Sequence, residues 1–209
     1  MSLYTKSLNS QNRKRQIPAE FFITCHRLDV ALSEYVLVVR VTEQRMDLFR
    51  KEQRSVKPQN PLIRDFKICF PYTYIKTMLI STSRFGTGQV KNSYKTPLGL
   101  HRIAAKIGDG YPPGIVFESR KPVGYTWTSH PRGAIVHRIM WLEGLEAGFN
   151  RGSDVDSFNR YIYIHGFSDE TTLGKPGSRG CIHVSCDDIF PLFDILPVGT
   201  LVWITNESL

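Results

Sequence analysis

The chain has 209 residues, with 27 basic against 19 acidic side chains and a net charge of +8. With 41% hydrophobic and 22% charged residues it has the composition of a globular protein, which excludes a chain that is disordered throughout. The positive charge favours anionic partners, but no zinc-finger spacing, RNP-like aromatic motif or basic helix indicates nucleic-acid binding.

The beginning of the chain predicts a basic arm over residues 1–20, followed by a single domain over residues 21–209. The arm has neither the apolar stretch nor the small-residue cleavage site of a signal peptide. The longest apolar run, residues 35–41, is too short to cross a bilayer. The four cysteines show no paired spacing, so the sequence does not predict a disulfide scaffold.

Short segments rich in β-branched and aromatic residues follow one another along the chain and predict strands. The first two, YVLVVRV and RMDLF, are expected to form a hairpin. One helix is expected near the C-terminus, with Pro191 in its first turn or at a kink. Many short strands with Gly/Pro turns favour a mainly β, sandwich-like or barrel-like domain with one or two short helices. The predicted strands are 35–41, 45–49, 66–70, 77–82, 100–105, 115–119, 134–139, 160–164 and 199–204, and the helix is 186–196.

The stretch HGFSDETTLGKPGSRGCIHVS, residues 165–185, combines the residue types of nucleophilic catalysis. A cysteine attacks as its thiolate and, with an ordinary pKa of about 8.5, needs a nearby base and a positive local field. His165 ends the predicted strand RYIYI and is the candidate base. The loop of small polar residues that follows can fold back to bring Cys181, the candidate nucleophile, to His165.

The neighbours of Cys181 predict a site for negative charge. Gly180 lets the backbone approach a substrate and direct successive N–H groups at one oxygen, as an oxyanion hole does. Arg179 adds positive field or binds a substrate carboxylate, and Ser178 is expected to stabilise the loop. His183, two residues after Cys181 in an extended segment, faces the same side.

Aromatic residues elsewhere in the chain are weaker candidates for the site. Tyr111, Trp127 and Trp141 are interpreted either as the lining of a substrate groove or as aromatic core. The predicted substrate-binding residues are Ser178, Arg179, His183 and Tyr111.

These motifs resemble the YkuD-type L,D-transpeptidase catalytic domain, whose signature is His-Gly, a loop, and Ser-His-Gly-Cys followed by an apolar residue and Arg or Asn. Here the signature is His165-Gly166 and then Ser-Arg-Gly-Cys-Ile-His at 178–183. Residues 36–49, 79–103 and 187–204 resemble the family's opening hairpin, its Thr-Pro-x-Gly segment and its closing helix and strand. The resemblance implies a YkuD-like β fold for most of the chain.

The resemblance also implies an activity, the acylation of a cysteine by peptidoglycan stem tetrapeptides. Cys181 forms a thioester and D-alanine leaves; an amine of a neighbouring stem then forms a 3→3 cross-link. His165 is the base, and the Gly166 carbonyl orients its imidazole. The N–H groups of Arg179, Gly180 and Cys181 hold the oxyanion. No metal or organic cofactor is implied, and the expected partners are stem peptides and an anionic wall polymer.

Three residues depart from the family pattern and leave alternatives open. Arg179 replaces a histidine, His183 replaces an arginine or asparagine, and Phe167 replaces a small hydroxyl residue. The enzymatic alternative is an L,D-carboxypeptidase, in which water attacks the same thioester. The others are a wall-binding module without activity and a zinc-stabilised domain with the ligands His165, Cys181, His183 and Cys186.

The substrate class implies a location in the cell envelope or periplasm. No signal peptide is visible in the chain as given, so the route of export is not predicted, and neither is the oligomeric state.

Overall fold

The computed structural model describes residues 15–52, 71–128 and 133–208. Most of its regular structure is β, as the sequence predicts. The strands are β1 (Tyr35–Arg40), β2 (Arg45–Lys51), β3 (Tyr72–Ser81), β4 (Gly99–Ile107), β5 (Ile115–Glu118), β6 (Lys121–Tyr125), β7 (Ile135–Gly144), β8 (Tyr163–Phe167), β9 (Ile182–Val184) and β10 (Leu201–Thr205). The helices are α1 (Ala19–Arg27) and α2 (Cys186–Ile195), with 3₁₀ turns at Ser153–Val155 and Glu170–Thr172.

The sheet closes on itself, which makes the domain barrel-like. The strands run in the order β4-β10-β1-β2-β3-β9-β8-β7, and β7 also pairs with β4. The hairpin β5–β6 is attached outside this ring through β7. Closure leaves few free edges in the ring, the usual way in which a small β domain avoids edge-to-edge association.

Strands β1 and β10 read as continuous apolar runs because both of their faces are buried. Val36 and Val38 face a cluster that includes Phe21 of α1, whereas Leu37 and Val39 face the main core inside the ring. Helix α1 therefore covers the outside of the sheet where the two strands run in parallel.

Helix α2 contributes to the main core through Ile189, Leu192 and Phe193. Its first turn is capped by Ser185, whose side chain accepts a hydrogen bond from the Asp188 N–H. Pro191 lies in the body of the helix, so the first of its two predicted positions, the first turn, is not the one found.

Most of the predicted strands are confirmed, with shifts at their ends. The hairpin of β1 and β2 is present, and the ranges 77–82, 100–105, 115–119, 134–139 and 199–204 each overlap a strand. The start of the range 160–164 is wrong by three residues, because residues 157–161 form a turn and β8 starts at Tyr163. Strands β6 and β9 were not predicted. The predicted strand 66–70 lies outside the described residues.

Part of the predicted N-terminal arm is described. Ile17 is buried against the cluster beneath α1, and the helix begins at Ala19, so ordered structure starts before residue 21. No helix within the described ranges is long and apolar enough to cross a membrane.

Candidate active site

One cavity brings together five of the residues predicted from the sequence. It has a volume of about 470 Å³ and lies at the end of the ring where β7, β8 and β9 meet. Its wall includes the candidate nucleophile and base, two residues of the intervening loop and one residue of β9: Cys181, His165, Ser178, Arg179 and His183.

Parallel pairing of β8 and β9 puts the two reactive side chains on one face. His165 is the register partner of His183, and Cys181 lies two residues before His183, where side chains point to the same side of an extended chain. The connection between the strands folds back over the sheet, as the sequence predicted. His165 lies in the middle of β8 rather than at its end, which corrects the prediction made from RYIYI.

The His165 imidazole is buried, only 2% exposed, and fixed in one orientation. Its Nδ1–H donates to the Gly166 carbonyl oxygen at 2.7 Å, which leaves Nε2 with a free lone pair. Burial lowers the pKa of His165 to about 4, so the ring is neutral near pH 7. A neutral, oriented imidazole can accept a proton.

Position 166 requires a glycine, because there is no room for a Cβ beside the neighbouring strand. A Cβ at this position would lie 2.6 Å from the Val136 carbonyl oxygen and 2.7 Å from Cδ2 of His137. The backbone of β8 therefore packs directly against β7, which holds the Gly166 carbonyl in place for His165.

The Cys181 thiol is half-buried and is held in its protonated form. Burial raises its pKa to about 11, and a hydrogen bond from the Tyr163 backbone N–H and the charge of Arg160 only partly oppose this. The thiol donates to the Tyr161 carbonyl oxygen at 3.4 Å. The candidate nucleophile and the candidate base are thus both neutral, and an attack by this sulfur requires transfer of the thiol proton.

The turn before Cys181 is held by side chains from the segment 83–99. The Thr96 hydroxyl donates to the Gly180 carbonyl oxygen at 3.1 Å, and Thr96 is fully buried. Gly180 has φ +119°, a conformation that only glycine adopts readily. The Thr-Pro-x-Gly segment therefore supports the cysteine turn directly.

Ser178 closes the same turn from the other side. Its hydroxyl donates to the Cys181 carbonyl oxygen at 2.6 Å and accepts from the Gly180 N–H at 3.1 Å. This agrees with the expected role of Ser178 in the loop. It also occupies the Gly180 N–H, so of the three predicted oxyanion donors this one is engaged elsewhere.

His183 is buried beside His165 and stacks on an aromatic ring. The centroids of His183 and Phe167 are 3.8 Å apart with an angle of 18° between the planes, and those of His165 and His183 are 4.8 Å apart. Burial and the neighbouring His165 lower the pKa of His183 to about 2. The Nδ1 atom of His183 is buried and has no hydrogen-bond partner among the described residues, so a polar group entering the cavity has an unsatisfied atom nearby.

Two arginines stand at the cavity, each packed on an aromatic ring. Arg84 lies over Phe85 at 5.2 Å and Arg179 over Tyr94 at 5.9 Å, measured from the guanidinium carbon to the ring centroid. Among the described ion pairs, none involves either arginine. Their charges face a region that a substrate carboxylate can enter.

The structure does not bring Tyr111 to the cavity. It lies in the loop before β5, where its ring meets Phe117 edge-on at 6.3 Å, and it is absent from the cavity wall. Trp127 stacks on Tyr125 and is 67% exposed. The substrate-binding prediction for Tyr111 is therefore not supported by its position.

The four proposed zinc ligands do not assemble. Within the described ranges, no group of three or more His, Cys, Asp or Glu side chains is arranged to hold a metal ion. Cys186 is the first residue of α2, and its backbone N–H is bonded to the Glu170 carboxylate.

Several residues that influence the site carried no signal in the sequence. Arg160 reaches the thiol electrostatically and is held by the carbonyl oxygens of Gly88, Gln89 and Lys95. Arg84 lines the cavity from a separate segment, whereas Phe167 lies two residues after His165 and was noted in the sequence only as a departure from the family pattern. Arg84 and Arg160 come near Cys181 only when the chain is folded, so no local motif predicts them.

Comparison with known proteins gives one family. The model of the L,D-transpeptidase catalytic domain, YkuD, matches residues 34–204. A curated relative, the putative L,D-transpeptidase YqjB of Bacillus subtilis strain 168, is 41% identical over 58 residues, which are 27% of this chain and 33% of the relative.

Solved structures give matches at low identity. The structure of Bdellovibrio bacteriovorus Bd1075 matches at 17% identity and a TM-score of 0.49, over 85% of this chain and 49% of that one. An L,D-transpeptidase from Mycobacterium smegmatis matches at 16% identity and a TM-score of 0.44, over 82% and 58%. The chain therefore matches about a third of the curated relative and about half or slightly more of the two solved chains.

Proposed function

Because the chain belongs to the family of L,D-transpeptidase catalytic domains, we propose that it is a cysteine acyltransferase that cross-links peptidoglycan stem peptides. The observation that carries the proposal is the shared cavity of Cys181 and His165, in which the imidazole has one orientation and a free Nε2. The proposed donor is a stem tetrapeptide and the proposed acceptor is an amine of a neighbouring stem.

In the first step, His165 Nε2 takes the thiol proton while the Cys181 sulfur attacks the carbonyl carbon of the third donor residue. The C–S bond forms, and the carbonyl oxygen becomes an oxyanion held by the backbone N–H groups of Arg179 and Cys181. The C–N bond to D-alanine then breaks, and the proton on His165 passes to the leaving amine. A thioester on Cys181 and free D-alanine are the products.

In the second step, the neutral amine of the acceptor attacks the thioester carbonyl carbon. His165 accepts a proton from this amine, the C–N bond forms and the C–S bond breaks. The proton returns to the sulfur, which restores the thiol. Since thiol and imidazole begin and end neutral, the pair leaves no charge behind in the buried site.

Recognition of the donor is assigned to the arginines at the cavity. Stem peptides carry carboxylates, and Arg84 and Arg179 offer planar, bidentate donors. Arg179 replaces the family's histidine, so the proposal gives it a carboxylate-binding role. The orphaned Nδ1 of His183 is available for a further polar group of the peptide.

Incubation of the protein with a stem tetrapeptide, with and without an amine acceptor, tests the proposal. We expect release of D-alanine and a thioester adduct by intact-mass analysis, and cross-linked product when the amine is present. Cys181→Ala should form no adduct. The buried Cys25→Ala, distant from the cavity, is the matched control and should form it.

The products separate the alternatives. D-Alanine release that is indifferent to the amine would identify an L,D-carboxypeptidase instead. Absence of both adduct and D-alanine, with the tetrapeptide still bound, would support a wall-binding module and overturn the acyltransferase proposal. Comparing envelope and soluble fractions of cells tests the proposed location in the envelope.

A further inference from the structure

Arg120, at the tip of the hairpin β5–β6, has its guanidinium in an aromatic wedge. The guanidinium carbon lies 4.9 Å from the ring centroid of Trp141 and 4.8 Å from that of Tyr161. The same guanidinium donates to the Tyr163 hydroxyl at 3.2 Å. Two aromatic faces and one hydroxyl oxygen are the components with which proteins bind organic cations.

The wedge is held in shape by contacts that do not involve Arg120. Trp141 stacks on Phe158 with centroids 4.0 Å apart and planes 4° apart, and its indole N–H donates to the Phe158 carbonyl oxygen at 3.0 Å. Tyr163 meets Trp141 edge-on at 5.4 Å. The wedge is therefore preorganised and would remain if the arginine moved away.

Arg120 and Tyr161, which contact each other in the wedge, both have backbone φ angles in the left-handed region. The two-residue turn of the hairpin, Ser119 and Arg120, has φ +48° and +68°, where Asn-Gly is the usual choice. Tyr161 has φ +58°. Non-glycine residues keep such conformations where the surrounding contacts require them, which often happens at ligand sites.

The wedge adjoins the nucleophile. The Tyr161 carbonyl oxygen accepts the hydrogen bond of the Cys181 thiol at 3.4 Å, and Cys181 packs on the cluster to which Tyr163 and Trp141 belong. A cation bound there lies close to the sulfur, against aromatic rings that are not part of the cavity wall formed by Arg84 and Arg179.

From this geometry we propose that Trp141, Tyr161 and the Tyr163 hydroxyl form a subsite for a primary ammonium group, which Arg120 fills when no ligand is present. The incoming ammonium displaces Arg120. A net charge of +8 repels cations at long range, so recognition by short-range aromatic faces suits this protein. Resting on the proposed function, this assigns the ammonium to the amine acceptor, which loses one proton to solvent water before the neutral amine attacks the thioester.

A binding experiment without catalysis tests the subsite. The probes are Nα-acetyl-lysine amide and Nα-acetyl-norleucine amide, which differ by the terminal ammonium. The readout is the NMR shift of the Trp141 indole N–H, assigned with a Trp141→Phe variant. In Arg120→Met the lysine probe should bind about fivefold more tightly than in the unaltered protein, the factor of one exposed cation–π pair. The norleucine probe should bind Arg120→Met and the unaltered protein equally well.

Matched variants define the outcome. Lys121→Met removes a neighbouring exposed charge from the same hairpin and should bind the lysine probe as the unaltered protein does. Arg120→Lys keeps a cation in the wedge and should also leave binding unchanged. Thermal unfolding of each variant establishes that it is folded. Equal binding of both probes in a folded Arg120→Met protein would overturn the subsite.

Kinetics separate this inference from the proposed function. In Arg120→Met, the KM for a cationic acceptor should fall, while donor acylation, followed by D-alanine release without acceptor, should not change. Probe binding without any turnover of tetrapeptide would leave the subsite standing and remove the proposed function. Cross-linking by Arg120→Met with an unchanged acceptor KM would support the proposed function and overturn the subsite.

Discussion

At the residue scale, the two members of the candidate catalytic pair, Cys181 and His165, are both held in their neutral forms. Burial raises its pKa to about 11, and burial also lowers the pKa of His165 to about 4. Many cysteine enzymes rest as a thiolate beside an imidazolium, whereas these two shifts favour the neutral pair. The neutral pair predicts a slow reaction with reagents that need a thiolate already formed.

Alkylation by iodoacetamide measures this directly. We expect the rate at Cys181 to rise about tenfold per pH unit from pH 7 to beyond pH 9, because the thiolate fraction rises in that proportion below the pKa. Peptide mapping by mass spectrometry distinguishes Cys181 from Cys25 and Cys186, the other free cysteines in the described part. A rate that levels off below pH 8 would contradict the neutral pair.

At the element scale, a buried ion pair ties the hairpin β1–β2 to its surroundings. Arg40 on β1 donates to Asp47 on β2 at 3.0 Å, and their side chains are 3% and 1% exposed. Arg40 also donates to the Gln16 carbonyl oxygen, and the Thr77 hydroxyl of β3 donates to Asp47. The pair thus links the segment before α1 with three strands.

Removing one partner of this pair should destabilise the fold strongly. Asp47→Ala leaves the Arg40 guanidinium buried without its counter-ion, a change that costs about 3–5 kcal/mol in the free energy of unfolding. Urea unfolding followed by circular dichroism gives the value. The exposed pair of Arg50 and Glu34 beside the same hairpin is the control, since Glu34→Gln should cost less than about 1 kcal/mol.

A double variant sharpens the prediction. Arg40→Met/Asp47→Leu leaves no unpaired charge and should be more stable than Asp47→Ala alone. If the double variant is no more stable than the single one, packing rather than charge dominates at this position.

At the scale of the whole molecule, buried histidines make stability depend on pH. His101 is fully buried between the Gly99 carbonyl oxygen and the Ser157 hydroxyl, and burial lowers its pKa to about 4. His165 and His183 are shifted in the same direction by burial. The unfolded chain takes up protons near pH 6.5 that the folded chain does not, so acid favours unfolding.

The free energy of unfolding should therefore fall as the pH drops from 7 to 5. His101 alone should contribute a loss of about 2 kcal/mol at pH 5, from the difference between an unfolded pKa near 6.5 and a folded value of about 4. Urea titrations at several pH values measure the slope, and His101→Asn should flatten it. A slope that is unchanged in this variant would show that other groups control the acid response.

The sequence by itself determined the strand-rich class and singled out the candidate catalytic pair of residues. The β-branched runs of β1 and β10 predict strands because they are apolar on both faces, and His165-Gly166 and Cys181 lie in a motif with fixed spacing. These features depend on local composition or on short separations along the chain, so they can be read without coordinates.

The tertiary structure decided what surrounds that pair. Closure of the ring through β4 and β7, the cavity wall of Arg84 and Phe167, and the placement of Arg120 against Trp141 all join segments far apart in the sequence. The pKa shifts follow from burial, which local sequence does not fix. Contacts between distant strands depend on register and packing, and these are properties of the folded chain as a whole.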